Sequence, residues 1–351
     1  ADPSTASTPV VTNAFDVVTY SGTGAAQDIL TDCNADFAWI KSTSHDTSWE
    51  MHDTVRGEPS RISSDTNSSD PETANGFVNF IDKGFSVDST GGGGEVNASG
   101  RDYVAFLWSA GSHEGLLPTI NTQGTIDSTI SVNDAAGFSI VKYRGNSTSG
   151  ATVGHGLSAK PELILIKNLD DATGWIAYDT NINSVGYLNL TDQFDTSRLS
   201  WGFNSTVPSS TVVTLGYNGQ AAVNENGDAY IMYCFRSISG YSKIGSYNGN
   251  NSATTVYTTD NGLVGGSNGF KPRWVIMKRT SASGNWLIWD SINNPSADNS
   301  NNDVIYANKS DERKDAGSGR YISFNSNGFT ISGDSGDSNA NSHTYLYFAI
   351  K

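Results

Sequence analysis

The chain has 351 residues and a formal net charge of −15 at pH 7, and charged residues make up only 16% of it. Because phosphate binding requires clustered Lys and Arg, this balance excludes nucleic acid as an expected partner. The longest apolar runs, such as Tyr230 to Phe235, fall far short of the roughly 20 residues that a membrane helix needs, so we expect no membrane insertion.

The first part of the chain divides into an arm and a folded unit. Residues 1–9 are small and polar, without a basic head or an apolar run, and indicate an arm with no signal peptide. Residues 10–111 form the first predicted unit. Its polar segment 56–75 lacks apolar periodicity and favours a long loop, and an aromatic strand starting at Tyr103 closes the unit.

The rest of the chain holds a connector and two more units. Residues 112–136 are a connector in which Thr125 to Val132 alternates apolar and polar side chains, and this predicts a hairpin with the strand that begins at Phe138. The second unit spans residues 137–240 and the third spans residues 241–351. No linker separates them, so we expect them to pack as a rigid pair.

One pattern occurs in all three units: a lysine that ends an apolar strand, a tryptophan eight residues later and an aspartate four residues after that. Such spacing indicates an internal repeat, with one related module copied three times. The three sets are Lys41, Trp49 and Asp53, then Lys167, Trp175 and Asp179, then Lys278, Trp286 and Asp290.

The fold class predicted from these patterns is all-β with almost no helix, because no stretch shows apolar residues at helical spacing for three turns. Short strands and frequent turn residues favour a β-sandwich or jelly roll for each unit. We expect the repeated tryptophan to be a packing anchor on an inward face, in contact with the closing aromatic strand.

The repeated polar residues have alternative interpretations. The carboxylates of Asp53, Asp179 and Asp290 could bind carbohydrate or Ca²⁺ beside an aromatic platform, or could cap the turn that follows each strand. Lysines at strand ends commonly keep their ammonium group in solvent, and we expect this of all three.

Two acidic hairpins before the closing strands supply oxygen ligands of the kind that Ca²⁺ prefers. The same residue types also favour tight turns for backbone reasons, so both interpretations stay open. The candidate calcium ligands are Asn224, Asn226 and Asp228 in the second unit, and Asp334 and Asp337 in the third. Cys33 and Cys234 occupy non-equivalent positions, which favours two separate thiols over a bridge.

Several segments resemble a domain common in bacteriophage tail-fibre and other virion surface proteins, especially those of marine and cyanobacterial phages. The resemblance implies a virion protein with lectin-like β folds, and it supplies no catalytic residues. It rests on residues 124–143, 152–157 and 161–167 with Trp175, continued by residues 240–249, 271–279 and 285–286, while the first unit matches weakly.

The function expected from these observations is non-enzymatic. The chain would be a virion surface component, in a tail fibre, spike or capsid fibre, present in many copies beside other virion proteins. It would bind host-cell glycans by multivalent weak contacts, with Trp108 or Trp201 stacking on sugars. One alternative is a purely architectural role without glycan binding. A third is a polysaccharide depolymerase, for which Glu50, Asp53 and Glu58 are the closest carboxylates.

Overall fold

The computed structural model describes most of the chain, and the predicted arm lies outside the described residues. It shows an all-β protein, as predicted, with one short α-helix, α1 (Leu199–Phe203), preceded by a 3₁₀ turn at Thr196–Arg198. None of the helices in the described part has the length and hydropathy of a membrane-spanning segment. The described residues are 11–57, 60–69, 78–88, 96–111, 117–295, 303–315, 320–333 and 335–351.

Each unit consists of a large antiparallel sheet and a smaller one. In the first unit the large sheet has the strand order β1-β7-β3-β4 and the small sheet β2-β6-β5. Most of these strands are short, so tight turns and loops supply the connections. The strands are β1 (Phe15–Ser21), β2 (Gln27–Leu30), β3 (Phe37–Ser42), β4 (Glu50–Asp53), β5 (Val78–Ile81), β6 (Gly84–Val87) and β7 (Asp102–Trp108).

The second unit has the largest sheet, with the order β14-β13-β12-β16-β10-β9-β8, and a two-stranded sheet β11-β15. The two strands at one edge, β9 and β8, come from the predicted connector, which thus adds to the sheet of the second unit. Strand β9 pairs with β10 across a turn that ends at Gly137, which confirms the predicted hairpin. The strands are β8 (Thr119–Asn121), β9 (Ser128–Asn133), β10 (Phe138–Arg144), β11 (Thr152–Gly154), β12 (Leu163–Asn168), β13 (Ile176–Asp179), β14 (Ser184–Tyr187), β15 (Val212–Thr214) and β16 (Ala229–Phe235).

The third unit repeats this plan with a six-stranded sheet, β17-β25-β19-β20-β21-β22, and a three-stranded sheet, β18-β24-β23. In all three units the closing aromatic strand lies next to the unit's first strand and next to the strand that carries the repeated lysine. The strands are β17 (Ser242–Asn248), β18 (Thr254–Tyr257), β19 (Trp274–Arg279), β20 (Trp286–Asp290), β21 (Asp303–Tyr306), β22 (Lys314–Asp315), β23 (Tyr321–Asn325), β24 (Gly328–Ser332) and β25 (Thr344–Ile350).

Both faces of the large sheets are covered. One face packs on the small sheet of the same unit, and this gives three separate sandwich cores. The opposite faces of all three large sheets meet in one shared core, to which every unit contributes aromatic side chains such as Phe37, Phe235 and Trp274. The two buried faces explain why β3, β12 and β19 are apolar almost without interruption.

Through the shared core, each unit contacts both of the other units. Phe37 of the first unit packs on Tyr233 of the second with ring centroids 4.6 Å apart, and Phe235 packs on Phe348 of the third at 5.2 Å. Trp274 of the third unit returns to the first by an edge contact with Trp108 at 5.4 Å. The pairing expected for the last two units therefore extends to the first, because each unit contacts both of the others.

Candidate functional site

The three repeated tryptophans lie in the shared core, at 1% exposure or less. Each indole N–H donates to a backbone carbonyl of another unit, from the first unit to the third, from the third to the second and from the second to the first. The three bonds run from Trp49 to Tyr306 at 2.9 Å, from Trp286 to Tyr187 at 2.8 Å and from Trp175 to Ser63 at 2.9 Å. The tryptophans are thus anchors between units, on the face opposite each unit's own sandwich core.

The repeated aspartates are buried and close turns. Asp53, Asp179 and Asp290 are 0–1% exposed, and the Oδ1 atom of each accepts two backbone N–H groups from the residues two and three positions later. A sugar or ion in solvent does not reach carboxylates held in this way. Of the two interpretations of these residues, the geometry matches the cap of the following turn and not a surface ligand.

The surroundings of the three carboxylates differ. Asp53 also forms a buried ion pair with Arg56, whose Nε lies 2.5 Å from Oδ2, and it accepts the Tyr233 hydroxyl at 2.8 Å. Asp179 has no such cation among its described partners, and burial raises its pKa to about 6. Burial also raises the pKa of Asp290, whose Oδ2 accepts the side-chain amide of Asn293 at 2.7 Å.

The repeated lysines correct an expectation, because all three are fully buried and not solvated. Their ammonium groups donate to backbone carbonyls: Lys41 to Ser42 at 2.9 Å and Lys167 to Asn168 at 2.6 Å. Lys278 donates across a unit boundary, to the Thr191 carbonyl at 2.9 Å. Desolvation lowers the pKa of Lys41 and of Lys278 to about 8.

The two tryptophans expected to stack on sugars have different positions. Trp108 is 3% exposed and lies at the centre of the shared core against Phe15 and Trp274, so it is not a surface platform. Its aromatic neighbours come from all three units, which the sequence does not reveal. Trp201 lies on α1 and is partly exposed, although it packs against the second unit's own core.

The candidate calcium ligands are engaged in hydrogen bonds within the protein. Asn224 is buried, accepts the Asn146 backbone N–H at 2.9 Å and donates to the Thr148 carbonyl at 2.9 Å. Asp228 accepts the amide of Asn168 at 2.8 Å. Within the described part of the chain, no group of three or more His, Cys, Asp or Glu side chains could hold a metal ion.

The remaining candidates have different surroundings. Asp337 pairs with Arg320 at 3.3 Å and accepts the backbone N–H and the side-chain amide of Asn285. Asn226 is exposed. Asp334 lies outside the described residues, so the structure says nothing of it.

A second repeated motif was missed in the sequence. An asparagine six residues before each closing tyrosine is buried, and its side chain bonds the loop that follows the unit's first strand. The closing tyrosine accepts the backbone N–H that follows the asparagine, and its ring stacks on the first strand's tyrosine at 5.1 to 5.2 Å. The sets are Asn97, Tyr103 and Tyr20, then Asn224, Tyr230 and Tyr143, then Asn339, Tyr345 and Tyr247. The fixed spacing of six was the available signal.

The first unit has a buried polar pair that the others lack. Glu50 and His52 are 1% and 0% exposed, with Oε2 and Nε2 3.5 Å apart, while Arg61 holds the other carboxylate oxygen at 2.6 Å. Among the described residues, Glu50 Oε2 and both His52 ring nitrogens have no hydrogen-bond partner. The corresponding positions in the other units are Ile176 and Tyr178, and Leu287 and Trp289.

A polar crevice of about 320 Å³ lies beside this pair, lined by Glu50, Arg61 and several hydroxyl groups. Glu50 is the only carboxylate among its described lining residues, and the free oxygen of Glu50 is buried. Two-carboxylate glycoside hydrolysis requires a second carboxyl group across the cleft. Asp53, the partner considered from the sequence, is committed to Arg56 and its turn, and Glu58 lies outside the described residues.

A second crevice, of about 330 Å³, opens between the first and third units, and we call it the seam crevice. One wall comes from β1 and β7, and the other from the turn after β20 and from Arg313. The two walls are joined where the Arg313 backbone N–H donates to the Thr43 carbonyl at 3.2 Å. The lining residues are Thr19, Tyr20, Ser21, Thr43, Asp102, Tyr103, Ile292, Asn293 and Arg313.

Polar groups on both walls of the seam crevice are held in place. Ser21 Oγ donates to Asp102 Oδ1 at 2.7 Å on one wall. On the other wall, the Arg313 guanidinium donates to Asn293 Oδ1 and lies 3.3 Å from Asp303. The buried carboxylate of Asp290, which holds Asn293, therefore acts indirectly by positioning a lining residue.

These features define a class: an all-β protein in which three related sandwich units enclose one core. A family model described as a domain of unknown function, DUF7483, matches residues 11–351, and the chain belongs to this family. No curated protein and no solved structure matches the chain. This family model covers all three units.

Proposed function

We propose that the chain is a non-catalytic surface component of a virion that binds host-cell glycans through repeated weak contacts. The observation that carries this proposal is that the repeated Trp, Asp and Lys side chains all serve the fold. The indoles join neighbouring units, the carboxylates close turns and the ammonium groups bond buried carbonyls. The repeat builds a rigid body, and polar crevices remain on its surface for contact with other molecules.

Rigidity favours binding by many copies. A module without internal hinges places its site at a fixed distance from its attachment point, so several copies on one particle can engage a glycan-coated cell together. Multivalent engagement raises apparent affinity by about 10² to 10⁴ without any new contact. A polar crevice with preoriented hydrogen-bonding groups suits ligands that are rich in hydroxyl groups.

An architectural role is the second candidate, and the cross-unit bonds favour it. Nine-tenths or more of each repeated side chain is buried in contacts that serve the fold, as a decoration or tail component would require. In that case the exposed surfaces would bind other virion proteins and no sugar.

A glycan array separates the two candidates. The full-length chain is applied both as it is and clustered on beads, and immunogold electron microscopy locates it on the particle. We expect saccharide-specific signals that strengthen on clustering, and labels on outward-facing fibres. Absence of any array signal from clustered protein, together with labels distant from fibre tips, would establish the architectural role instead.

A further inference from the structure

We infer that the seam crevice is a binding site for a neutral saccharide, an inference that rests on the proposed glycan adhesion. The sequence along β1 shows where the site begins. Phe15 and Val17 point into the shared core, and the next two residues on the same face are Thr19 and Ser21, both exposed. The boundary between the first and third units thus changes from apolar packing to hydroxyl groups at the crevice.

The two walls carry complementary groups. Asp102 offers carboxylate oxygens, and its partner Ser21 fixes its orientation. Arg313 and Asn293 offer planar donor groups that are held by Asp303 and by Asp290. Planar carboxylate, amide and guanidinium groups bind two neighbouring hydroxyls at once, which is the arrangement that a pyranose ring presents.

The charge around the crevice selects a neutral ligand. Among the described lining residues Arg313 is the only cation, and it is already paired with Asp303, while the opposite wall carries the carboxylate of Asp102; an anionic sugar would therefore meet more negative than positive charge. The net charge of −15 on the whole chain adds to this repulsion. A neutral sugar requires no unpaired charge to be buried.

The wall formed by β1 and β7 is rigid. Tyr20 and Tyr103 alternate with Ser21 and Asp102 and point to the other face of these strands, where their rings stack at 5.2 Å in the first unit's own core and the Tyr20 hydroxyl donates to the Val96 carbonyl at 2.7 Å. Because the polar groups of this wall are carried by strands that are fixed before binding, little conformational entropy is lost when a ligand enters. A saccharide here contacts the first and third units together and stabilises their closure.

Variants at the two walls test the site in the full-length chain. Asp102→Asn removes the charged acceptor and Arg313→Gln removes the charged donor, while Thr19→Tyr fills the crevice. Asn248→Ala is the matched control, because Asn248 is the third unit's counterpart of Ser21 and is exposed away from the crevice. Melting temperatures confirm that each variant is folded.

The probes are the methyl glycosides of glucose, galactose, mannose and N-acetylglucosamine, with glucuronic acid as the anionic comparison, titrated by ligand-observed NMR. We expect at least one neutral glycoside to bind, each polar variant to weaken binding about tenfold and Thr19→Tyr to abolish it. Asn248→Ala should bind as the wild type does.

Three outcomes overturn the inference. Unchanged glycoside binding in all three crevice variants would place the sugar elsewhere, and the proposed glycan adhesion would still stand. Stronger binding of glucuronic acid than of every neutral glycoside would contradict the neutral class. If the wild-type chain binds no probe and gives no glycan-array signal when clustered, the proposed function fails as well.

Discussion

The same aspartate plays one structural role in three electrostatic settings. Sequence spacing predicted that Asp53, Asp179 and Asp290 are equivalent. Their hydrogen bonds to the following turn are the same in all three units. Spacing could not predict the cation beside Asp53, because Arg56 has no counterpart in the other two turns. The consequences for stability therefore differ from one copy to the next.

Asp53→Asn should destabilise the fold by about 3 kcal/mol at pH 7, because it leaves the buried guanidinium of Arg56 without its counter-charge. The amide oxygen still accepts the turn's N–H groups, so the loss reports the ion pair together with the hydrogen bond that the Tyr233 hydroxyl donates to Oδ2. Urea denaturation measures the change in free energy of unfolding. Asp53→Asn combined with Arg56→Met is the control, and it should recover part of the loss. A single variant as stable as the wild type would contradict the importance of the pair.

Asp179→Asn should have the opposite effect on stability, because it removes a carboxylate whose charge is costly to bury. The pKa of Asp179 is about 6 in the folded chain against 3.8 for an ordinary aspartate, so between these values the folded state keeps a proton that the unfolded state has lost. The contribution of this group to stability therefore falls as pH rises from about 4 to 6, and the cost of burying the charge is fully present above pH 6.

Urea denaturation of Asp179→Asn and wild type at pH 4 and pH 7 measures this difference. The variant should gain about 2 to 3 kcal/mol relative to wild type between the two pH values. A difference between the two proteins that does not change with pH would show that folding does not raise the pKa of Asp179.

The strands of this fold were largely predictable from the sequence, but what covers each face of the sheets was not. Alternation at Thr125 to Val132 correctly predicted the β9–β10 hairpin. The unbroken apolar run Leu163 to Ile166 was a signal for burial on both faces. Lys167, which follows it on the same strand, is buried as well, so the expectation of solvated lysines was wrong. The seam crevice depends on Arg313 and β1, which are far apart in sequence, and local patterns cannot bring them together.

In each unit a glycine just after the first strand makes a close backbone contact with the turn that precedes the closing strand. A Cβ atom at Gly145 would lie 2.2 Å from the Glu225 carbonyl oxygen, and Gly22 and Gly249 make the equivalent contacts at 2.2 and 2.3 Å. Gly145→Ala should therefore destabilise the fold by about 2 to 3 kcal/mol, because backbone must move on both sides.

Gly202→Ala is the matched control for that variant. Gly202 lies inside α1 with no atom within 4 Å of an added Cβ, so alanine should stabilise the chain by about 0.5 to 1 kcal/mol. Thermal unfolding followed by circular dichroism compares the two variants. Equal melting temperatures for both would show that the backbone contact between Gly145 and Glu225 is not tight.

At the scale of the whole molecule, the shared core and the three indole hydrogen bonds, which link the units in a ring, predict that the units unfold together. Removing one unit would expose the apolar faces of the two others, since Trp274 of the third unit covers Phe15 and Trp108 of the first. Differential scanning calorimetry of the full chain should show one transition, whose calorimetric enthalpy equals the van't Hoff enthalpy.

Trp175→Phe provides the sharper version of this test. It removes the indole N–H that bonds the Ser63 carbonyl, about 1 kcal/mol net for the bond and somewhat more for the lost ring volume. Because the second unit carries this change, independent units would show a lower melting temperature for the second unit alone. A shared core instead predicts that the single transition moves as a whole and stays two-state. Trp201→Phe, on the partly exposed helix, should leave the transition almost in place. Two or three separable transitions in the Trp175 variant would contradict cooperative closure.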